Sequence, residues 1–394
     1  MHSRPVAMLL NLGHAIDHMF LLIFATAVTA IAAEFGFSRW EDLMPYGVGA
    51  AFMFGLGSIP SGRLGDFWGR RAMMLIFYFG MGASAILVAL TQNVWQMAAA
   101  LTVLGLFSSI YHPVGVPMLV RNSKNPGFTI GFNGLVGNFG IAAAAVITGL
   151  LIKYFNWRLA FVIPGLGSIA AGVAFALLTP KETEPPAHRK GGGTMPSREV
   201  MGRILPVMTV TAMTGSVIFN FATSGNQQLL TERFVGLIED PAVLGAMLGA
   251  VYVLASLSQI VVGKLIDRYP LKRVFLAVIV AQAPLFALAA VAHGWTLLLL
   301  QLGFMVFVFG AVPFNDAIMV RYVDDQMRSR IAGMRLAISF SFSSIAVGML
   351  GPMVKAAGFQ TLLFVMAGVA LLTLFVVTLL PSEQPRAKLA TAGA

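Results

Sequence analysis

Twelve predominantly apolar runs divide this chain, and each is long enough to cross a lipid bilayer as a helix. About 20 apolar residues span the hydrocarbon core. The runs lie at 7–33, 44–61, 72–91, 95–119, 128–152, 158–179, 203–231, 242–262, 273–292, 295–320, 330–354 and 359–380. Apolar residues make up 58% of the chain and charged residues 11%, against about 45–50% and about 25% in soluble proteins. Only a bilayer can solvate that much apolar surface, so we predict an all-α, multi-pass membrane protein.

The first run carries several polar residues and is too long for the apolar core of a signal peptide. We therefore expect it to be retained as the first transmembrane helix. The chain contains no cysteine, which excludes disulfides and thiolate metal sites.

The two halves of the chain repeat each other at a spacing of about 200 residues. The segment Gly62–Arg71 carries four charges and three glycines between two apolar runs, and a weaker copy follows at Gly263–Arg273. Landmarks shared at offsets of 200 to 202 residues are Gly62 with Gly263, Asp66 with Asp267, Pro113 with Pro313, and Gly131 with Gly333. Such a repeat predicts two parallel bundles related by an axis along the membrane normal, with the binding site between them.

Domain boundaries follow from breaks in the apolar pattern. Residues 1–179 and 203–381 hold six runs each, which predicts an N-terminal and a C-terminal six-helix bundle. Segment 180–202 is rich in proline, glycine and charged residues, which is typical of a linker. Residues 382–394 form a short polar tail.

The distribution of positive charge predicts the orientation, because cytoplasmic loops of membrane proteins carry an excess of Lys and Arg. With the N-terminus in the cytoplasm, 21 of the 26 Lys and Arg residues lie on the cytoplasmic side. The outer loops keep Arg39, Lys153, Arg158, Arg233 and Lys355. Both termini, the linker and the tail are therefore predicted to be cytoplasmic. This topology and anionic lipid explain the net charge of +10, so we expect no nucleic-acid partner.

The twelve runs, the six-plus-six division and the turn G-x-L-x-D-x-x-G-R-R at Gly62–Arg71 resemble the major facilitator superfamily over the whole chain. The resemblance implies the major facilitator fold, with twelve transmembrane helices in two six-helix pseudo-repeats, and transport by alternating access. Within that family the chain is most similar to the fosmidomycin-resistance (drug-efflux) branch. The residues that carry this similarity are His14, Asp17 and His18 in the first helix, Ser108–Pro113 in the fourth, and Val136–Gly140 in the fifth.

The chain also departs from the pattern of that branch. The branch usually has an aspartate where this chain has His18, and often an asparagine in the place of Asp17. The fourth helix lacks the buried arginine that many drug/proton antiporters use there. Their coupling scheme therefore does not transfer as a whole.

The charged turn predicts a gate on the cytoplasmic side. Gly62, Gly65 and Gly69 permit a tight reversal and close backbone approach. Asp66 at a helix end can pair with the N-terminus of a neighbouring helix, in a contact that holds one state shut and breaks in the other. The predicted gate residues are Gly62, Asp66, Gly69, Arg70 and Arg71, with Asp267 as a weaker copy beside Pro270. The alternative is a basic loop that only sets the topology.

A polar stripe marks one face of the first helix. At about 100° per residue, Asn11, His14, Asp17 and His18 fall within an arc of about 120°. His14 lies about 10 Å deep, because it is roughly seven residues into a helix that rises 1.5 Å per residue. Ionisable groups at that depth face the protein interior or a cavity and are usually functional, and histidine titrates near neutral pH. The stripe predicts a site for proton coupling or substrate contact.

Two other interpretations of this stripe stay open. A hydrogen bond from His14 or His18 to Asp17 can simply fix the packing of the helix. Histidines at i and i+4 beside a carboxylate are also acceptable ligands for a transition metal, so His14, Asp17 and His18 form an alternative metal site. The 22 methionines show no repeated M-x-x-x-M pattern and fit a role as core filler.

Further polar residues in the first half are candidates for lining the cavity. His112 precedes Pro113, which can bend the fourth helix toward a cavity. Asn133 and Asn138 lie in the fifth helix beside glycines at 131, 134, 137 and 140. Those glycines predict close contact with another helix.

The second half offers its own polar candidates. Asn220 and Gln227 lie in the seventh helix, and Asn220 is the best candidate there for contact with a substrate. In the tenth helix, Asp316 is expected to form a structural ion pair with Arg335 or Arg321.

Together these observations predict a secondary transporter that moves a small molecule across the bacterial inner membrane, as an exporter that exchanges against protons. The sequence has no nucleotide-binding P-loop and no hydrolase motif, so we expect neither an enzyme nor a cofactor. The expected partners are a small-molecule substrate, protons and the lipid bilayer, with the protein acting as a monomer. The alternatives are a transporter of a transition metal or metal chelate that uses His14, Asp17 and His18, or a symporter of a small solute with protons.

Overall fold

The computed structural model describes residues 4–121, 123, 126–181, 202, 204–322 and 325–380. Eleven helices among these residues are long and apolar enough to cross a membrane. They are α1 Arg4–Glu34, α2 Trp40–Phe67, α3 Arg70–Ala89, α4 Val94–Val120, α5 Gly127–Tyr154, α6 Trp157–Leu178, α7 Leu205–Arg233, α8 Pro241–Arg268, α9 Leu271–Val291, α10 Gly294–Met319 and α11 Gly333–Thr378. The described residues form no strand, and the predicted all-α, multi-pass membrane protein is confirmed.

The difference between eleven helices and twelve predicted runs is confined to α11. Both runs 330–354 and 359–380 fall mainly within it, and its 46 residues would measure about 69 Å as one straight helix. That is more than twice the hydrocarbon thickness of about 30 Å. Helical geometry breaks at Gly358, where φ is 74° and ψ is 168°. The break lies between the two predicted runs, at a residue type that adopts positive φ without strain.

Short polar side chains start several of the helices. Asn93, Asn156 and Asp240 each accept hydrogen bonds from two backbone N–H groups in the first turn of the helix that follows. These bonds satisfy donors that have no partner inside the helix. The residues lie at the ends of apolar runs, so the helices α4, α6 and α8 begin close to where the sequence predicted them.

The charged turn of the first half is shorter than expected. Gly62 and Gly65 lie inside the helical part of α2 that spans Ser58–Phe67, and Gly65 packs against the side chain of Val114. The expectation that they belong to a tight reversal is therefore wrong. Gly69 alone of the three has a positive φ, of 97°, and it makes the turn between α2 and α3.

Each half makes the same kind of tertiary contact at the end that is predicted to face the cytoplasm. Arg71 at the start of α3 donates hydrogen bonds of 2.8 Å to the carbonyl oxygens of Ala176 and Thr179 at the end of α6. Lys272 at the start of α9 donates bonds of 2.7 Å to the carbonyl oxygens of Thr378 and Leu380, at the end of α11. Arg71 and Lys272 are 201 residues apart, so the sequence repeat is also a structural repeat.

The most extensive contacts between the halves are those of α5 with α8 and of α2 with α11. A Cβ atom at Gly131 of α5 would lie 2.9 Å from the carbonyl oxygen of Gln259 in α8. A Cβ atom at Gly333 of α11 would lie 2.9 Å from the carbonyl oxygen of Ser58 in α2. Both interfaces are therefore built on glycines that let the backbones approach closely.

The linker predicted at 180–202 and the tail at 382–394 lie almost wholly outside the described residues. In the described part, α6 ends at Leu178 and α7 begins at Leu205. The domain boundaries stay a prediction.

We expect Gly131→Ala and Gly333→Ala to destabilise the protein, because each new methyl group meets a backbone oxygen of the other half. Overpacking of this kind costs about 1–3 kcal/mol. The measurement is the thermal unfolding midpoint of the purified protein in detergent. Gly368→Ala is the matched control, because nothing lies within 4 Å of a Cβ atom there. Midpoints that rise in all three variants would contradict the close contact.

Candidate functional site

A cavity of about 130 Å³ lies where the two halves meet. Most of its wall comes from α7, α9, α10 and α11 of the second half, and the first half contributes His18 of α1 and His112 of α4. The polar residues of the second half that line it are Thr211, Ser216, Gln282, Asn315, Asp316, Arg335, Ser339 and Thr373. The aromatic residues that line it are Phe219, Phe275 and Phe340. The site is thus a mixed polar and aromatic chamber, bounded by histidines on one side.

The polar stripe of α1 faces the protein interior. The side chain of Asp17 is fully buried, that of His14 is 5% exposed, and those of Asn11 and His18 are half-buried. His14, His18 and Asp17 all approach α4 or α5 rather than lipid. The structure therefore brings together the residues that the helical spacing singled out.

Asp17 is held by two residues of α4. Ser108 donates a short hydrogen bond to Asp17 Oδ1, and His112 Nε2 lies 3.7 Å from Asp17 Oδ2. Among the described residues, no hydrogen-bond donor reaches Oδ2. Burying a carboxylate oxygen that accepts no hydrogen bond costs free energy. Ionisable groups of this kind are retained in membrane proteins where they serve a function.

His14 is oriented by α5 and α4. Its Nδ1 lies 2.8 Å from the carbonyl oxygen of Asn133, and because a carbonyl only accepts, Nδ1 carries the hydrogen. In the neutral ring, Nε2 then holds a lone pair, and it lies 3.1 Å from His18 Nε2. The ring stacks on Tyr111, with centroids 4.8 Å apart and planes at 12°.

A side-chain amide fixes these three helices to one another. Asn133 Nδ2 of α5 donates to Asn11 Oδ1 of α1 at 2.9 Å and to the Tyr111 hydroxyl of α4 at 2.8 Å. The Tyr111 hydroxyl in turn donates to the carbonyl oxygen of Leu10 at 2.8 Å. Asn133 therefore positions the cluster and does not line the cavity wall.

His112 reaches the cavity because α4 changes its winding there. Residues Tyr111–Gly115 form one turn of π-helix around Pro113. Such turns insert an extra residue per turn and re-aim the neighbouring side chains. The sequence prediction that Pro113 bends this helix toward a cavity agrees with this geometry.

Three imidazoles form a compact cluster at this point. One ring nitrogen from each of His14, His18 and His112 can be chosen such that the three atoms lie within 4.8 Å of one another. The metal site considered from the sequence used Asp17 with His14 and His18. In the structure His112 joins the two histidines as the third nitrogen ligand, and Asp17 lies behind it.

The charged pair on the opposite wall joins α10 and α11. Arg335 Nη2 donates to Asp316 Oδ1 at 2.6 Å, in the pairing considered from the sequence. Both residues also line the cavity, a placement that the sequence did not suggest.

Other predicted residues lie away from this chamber. Asn138 is buried within α5. Asn220 donates to the carbonyl oxygen of Ser216 and to Ser343 Oγ at 3.3 Å, and it borders a second cavity of about 50 Å³. Gln227 is half-buried and lines neither cavity.

The predicted gate residues occupy the end of the bundle where α2 meets α3 and α8 meets α9. Asp267, near the end of α8, accepts a hydrogen bond from the backbone N–H of Phe128 at the start of α5. A carboxylate is favoured at a helix N-terminus, and this contact crosses from one half to the other. In the first copy of the turn, Arg70 is buried and Asp66 is half-buried, while Arg71 binds carbonyls of its own half.

Two ion pairs at the opposite end were not predicted. Lys153 of α5 lies 2.5 Å from Asp240 before α8, and Lys355 of α11 lies 2.6 Å from Asp42 of α2. Each pair crosses between the halves. The two lysines are 202 residues apart and the two aspartates 198, so the repeat spacing could have revealed them.

The ion pair at Asp240 persists at neutral pH. The Lys153 ammonium donates to the carboxylate and holds the pKa of Asp240 below its usual range, with the backbone N–H groups of Ala242 and Val243 acting in the same direction. A lowered pKa means that the carboxylate stays charged at pH values below those at which a free aspartate is protonated, and the interaction is lost only as the pH falls through the lowered value.

Comparison with known proteins gives a consistent result. The family model described as Major Facilitator Superfamily matches residues 10–237 and 212–394. Multidrug resistance protein MdtG of Serratia proteamaculans is 27% identical over 352 residues, which cover 85% of this chain and 82% of that protein. MdtG of Escherichia coli K12 is 25% identical over 326 residues, covering 79% of this chain and 77% of that protein.

A solved structure shares the fold. The crystal structure of the human organic anion transporter MFSD10 aligns with a TM-score of 0.76 at 13% identity, covering 95% of this chain and 99% of that chain. At this identity the likeness concerns the fold alone. The resemblance to drug-efflux members of the superfamily that the sequence suggested is confirmed by the family match and by the relatives.

We expect Lys153→Asp to loosen the contact between the halves at the end opposite the predicted gate, because it places two negative charges where an ion pair stood and leaves the Asp240 cap on α8 in place. Ala145→Cys supplies the reporter, since Ala145 is fully buried beneath the α5–α8 contact and the chain has no other cysteine. The measurement is the rate at which a membrane-impermeant maleimide labels this cysteine, which should rise a few-fold in the Lys153→Asp variant. Lys153→Arg keeps the positive charge and is the control, with labelling as slow as in the native background. Equal rates in all three backgrounds would show that the ion pair does not hold this contact closed.

Proposed function

The chain belongs to the Major Facilitator Superfamily, and on that basis we propose that it exports a small molecule across the bacterial inner membrane by alternating access, in exchange for protons. The family and the relatives make it a multi-pass membrane transporter. The main structural support for the proposal is a chamber whose wall is formed by residues of both halves. It lies between the two helix contacts, α5 with α8 and α2 with α11, through which the halves touch.

Alternating access needs one interface that opens at one end while the other end stays closed. Here α5 and α8 touch at both ends, from Gly127 beside Asp267 to Gly149 beside Pro241. The contacts at the two ends are chemically separate, with a helix cap at Asp267 and an ion pair at Asp240. Each set can therefore break without the other, as a rocking motion requires.

We place the cytoplasmic gate at the charged turn and its copy. Gly62, Asp66, Gly69, Arg70 and Arg71 form the first part and Asp267 the second. The cap that Asp267 makes on α5 supports a role for the second copy at least equal to that of the first. Arg71 contributes by anchoring α3 to the end of α6, which makes the turn move with its own half.

We further propose twelve crossings with both termini in the cytoplasm. Arg71 binds the end of α6, the last helix of its half, and Lys272 binds the end of α11 in the same way. This equivalence requires the part of α11 after Gly358 to act as the sixth helix of the second half. The excess of positive charge at the gate end supports placing that end in the cytoplasm.

Proton exchange supplies the energy in this proposal, because the sequence holds no P-loop for nucleotide. The cluster of Asp17, His14, His18 and His112 is the group of ionisable side chains placed beside the chamber. Asp17 is fully buried and its Oδ2 faces His112 at 3.7 Å. We assign proton coupling to this carboxylate and its surroundings.

The substrate is proposed to be small and amphipathic. A cavity of about 130 Å³ is smaller than the roughly 300–1,000 Å³ of pockets that hold drug-sized ligands. Drug-sized molecules need more room, so the chamber must widen when one end opens. The aromatic wall and the paired charges of Asp316 and Arg335 suit a molecule with an apolar body and a polar group, consistent with relatives named for multidrug resistance.

We expect Asp17→Asn to abolish substrate-driven proton movement, because the amide cannot exchange a proton. Everted membrane vesicles are acidified inside, a panel of antibiotics is added singly, and proton release is followed with a pH-sensitive dye. Asp42→Asn is the control, since this carboxylate lies at the outer end and away from the chamber. Transport that ignores both the pH gradient and Asp17→Asn would contradict proton coupling.

Single cysteines test the orientation, since the chain contains none of its own. In intact cells an impermeant maleimide should label Arg39→Cys and Glu239→Cys and should spare Arg63→Cys and Lys264→Cys. All four positions are exposed in the structure. Permeabilised cells serve as the control and should allow labelling at every position, whereas the reverse pattern in intact cells would invert the topology.

A further inference from the structure

The histidine cluster has the geometry of a metal site. Two nitrogens bound to one zinc ion at about 2.0–2.1 Å, with a tetrahedral angle between them, lie roughly 3.3 Å apart. The separation between His14 Nε2 and His18 Nε2 is 3.1 Å. The helix places these rings one above the other, since the residues are four apart on α1.

The third imidazole comes from a different helix. His112 of α4 lies 5.0 Å from His14 and 5.7 Å from His18 between ring centroids. The π-turn at Tyr111–Gly115 brings it there. One nitrogen from each of the three rings, carried on two helices, lies within 4.8 Å of the other two, so rotation of the side chains would bring all three to the spacing of about 3.3 Å that one ion requires.

Neighbouring groups orient these rings as they do in known metal sites. His14 donates its Nδ1 hydrogen to the carbonyl oxygen of Asn133, which leaves the Nε2 lone pair for a ligand. Asp17 Oδ2 lies 3.7 Å from Nε2 of His112, which is beyond hydrogen-bond distance but places a carboxyl group beside the cluster. A carbonyl that accepts a hydrogen bond from a histidine fixes its tautomer and raises its basicity as a ligand.

We propose that His14, His18 and His112 bind one divalent transition-metal ion of the zinc, cobalt or nickel type. Imidazole nitrogen suits these ions, whereas magnesium and calcium prefer oxygen ligands. Asp17, which is fully buried, supplies a carboxylate beside the site. Three protein ligands leave a fourth position, and it can be filled by water or by a donor atom of a small chelate.

The ion is a second substrate in this proposal, beside the small amphipathic molecule proposed above. His18 and His112 line the chamber between the halves, so an ion held there lies on the transport path and not in a closed structural site. The substrate role rests on the proposed transport function, whereas the binding site stands without it.

Binding is tested on the purified full-length chain in lipid nanodiscs, with an affinity tag that contains no histidine. Zinc is titrated by calorimetry, and cobalt is titrated while its visible absorption is recorded. We expect one equivalent of each ion to bind, with the intense cobalt bands of a tetrahedral nitrogen site. Magnesium should give no heat of binding.

Variants separate ligands from their neighbours. His18→Ala and His112→Ala should abolish binding, while Asp17→Asn should weaken it by about 10- to 100-fold, as loss of a neighbouring carboxylate does. His293→Ala is the matched control, because His293 is exposed and bonded to Arg233. Size-exclusion profiles identical to that of the native chain establish that each variant is folded.

The outcomes decide both parts of the proposal. Absence of zinc and cobalt binding to the native chain, or unchanged binding in folded His18→Ala and His112→Ala, would overturn the site. Radioactive zinc uptake into vesicles holding the protein tests the substrate role, and binding without uptake would overturn that role. If the native chain binds no metal but still releases protons when an antibiotic is added, the proposed function stands and this inference alone is refuted.

Discussion

Close approach of helix backbones between the two halves is the constraint on which the rest of this structure depends. Lipid tails are as apolar as the side chains, so helices in a bilayer associate through packing and hydrogen bonds. The chain meets this need with glycines where α5 crosses α8 and α2 crosses α11. Gly131 and Gly333 occupy equivalent positions and face backbone oxygens at the same distance, so one packing solution closes both interfaces.

The cluster of polar residues around His14 also depends on the packing of α5. Gly131 and Gly134 of α5 face Gln259 in the second half, whereas Gly137 and Gly140 face α1. A Cβ atom at Gly137 would lie 2.7 Å from the ring of His14, and Gly140 packs on the backbone of Ala15. The glycines at every third position of α5 therefore allow close contact with both α1 and α8, because their spacing lets α5 lie between these two helices. Movement between the halves is thereby mechanically connected to the helix that carries Asp17.

The sequence predicted what depends on periodicity and repetition. The spans, the repeat and the inward face of α1 follow from the bilayer thickness and the helical pitch. The structure agrees with them except that the last two predicted spans lie in one helix, which is broken at Gly358. The sequence could not predict that Tyr111 stacks on His14 or that Arg335 lines the chamber, because these contacts depend on how separate helices cross. The turn at Gly62 was misplaced for a related reason, since glycine serves equally in a turn and in a packed helix.

The strength of the contacts between the halves follows from the kinds of interaction found at the two ends of the bundle. Exposed ion pairs such as Lys153 with Asp240 contribute little to stability on their own. Backbone contacts at glycines are dry and lose their dispersion energy steeply with separation, so they decide whether an interface is closed. The ion pairs then favour the register in which the helices meet, because a shift along the helix would separate the paired charges. In the proposed transport cycle, a substrate can shift the population of states only by as much as it binds the chamber more tightly in one state than in the other.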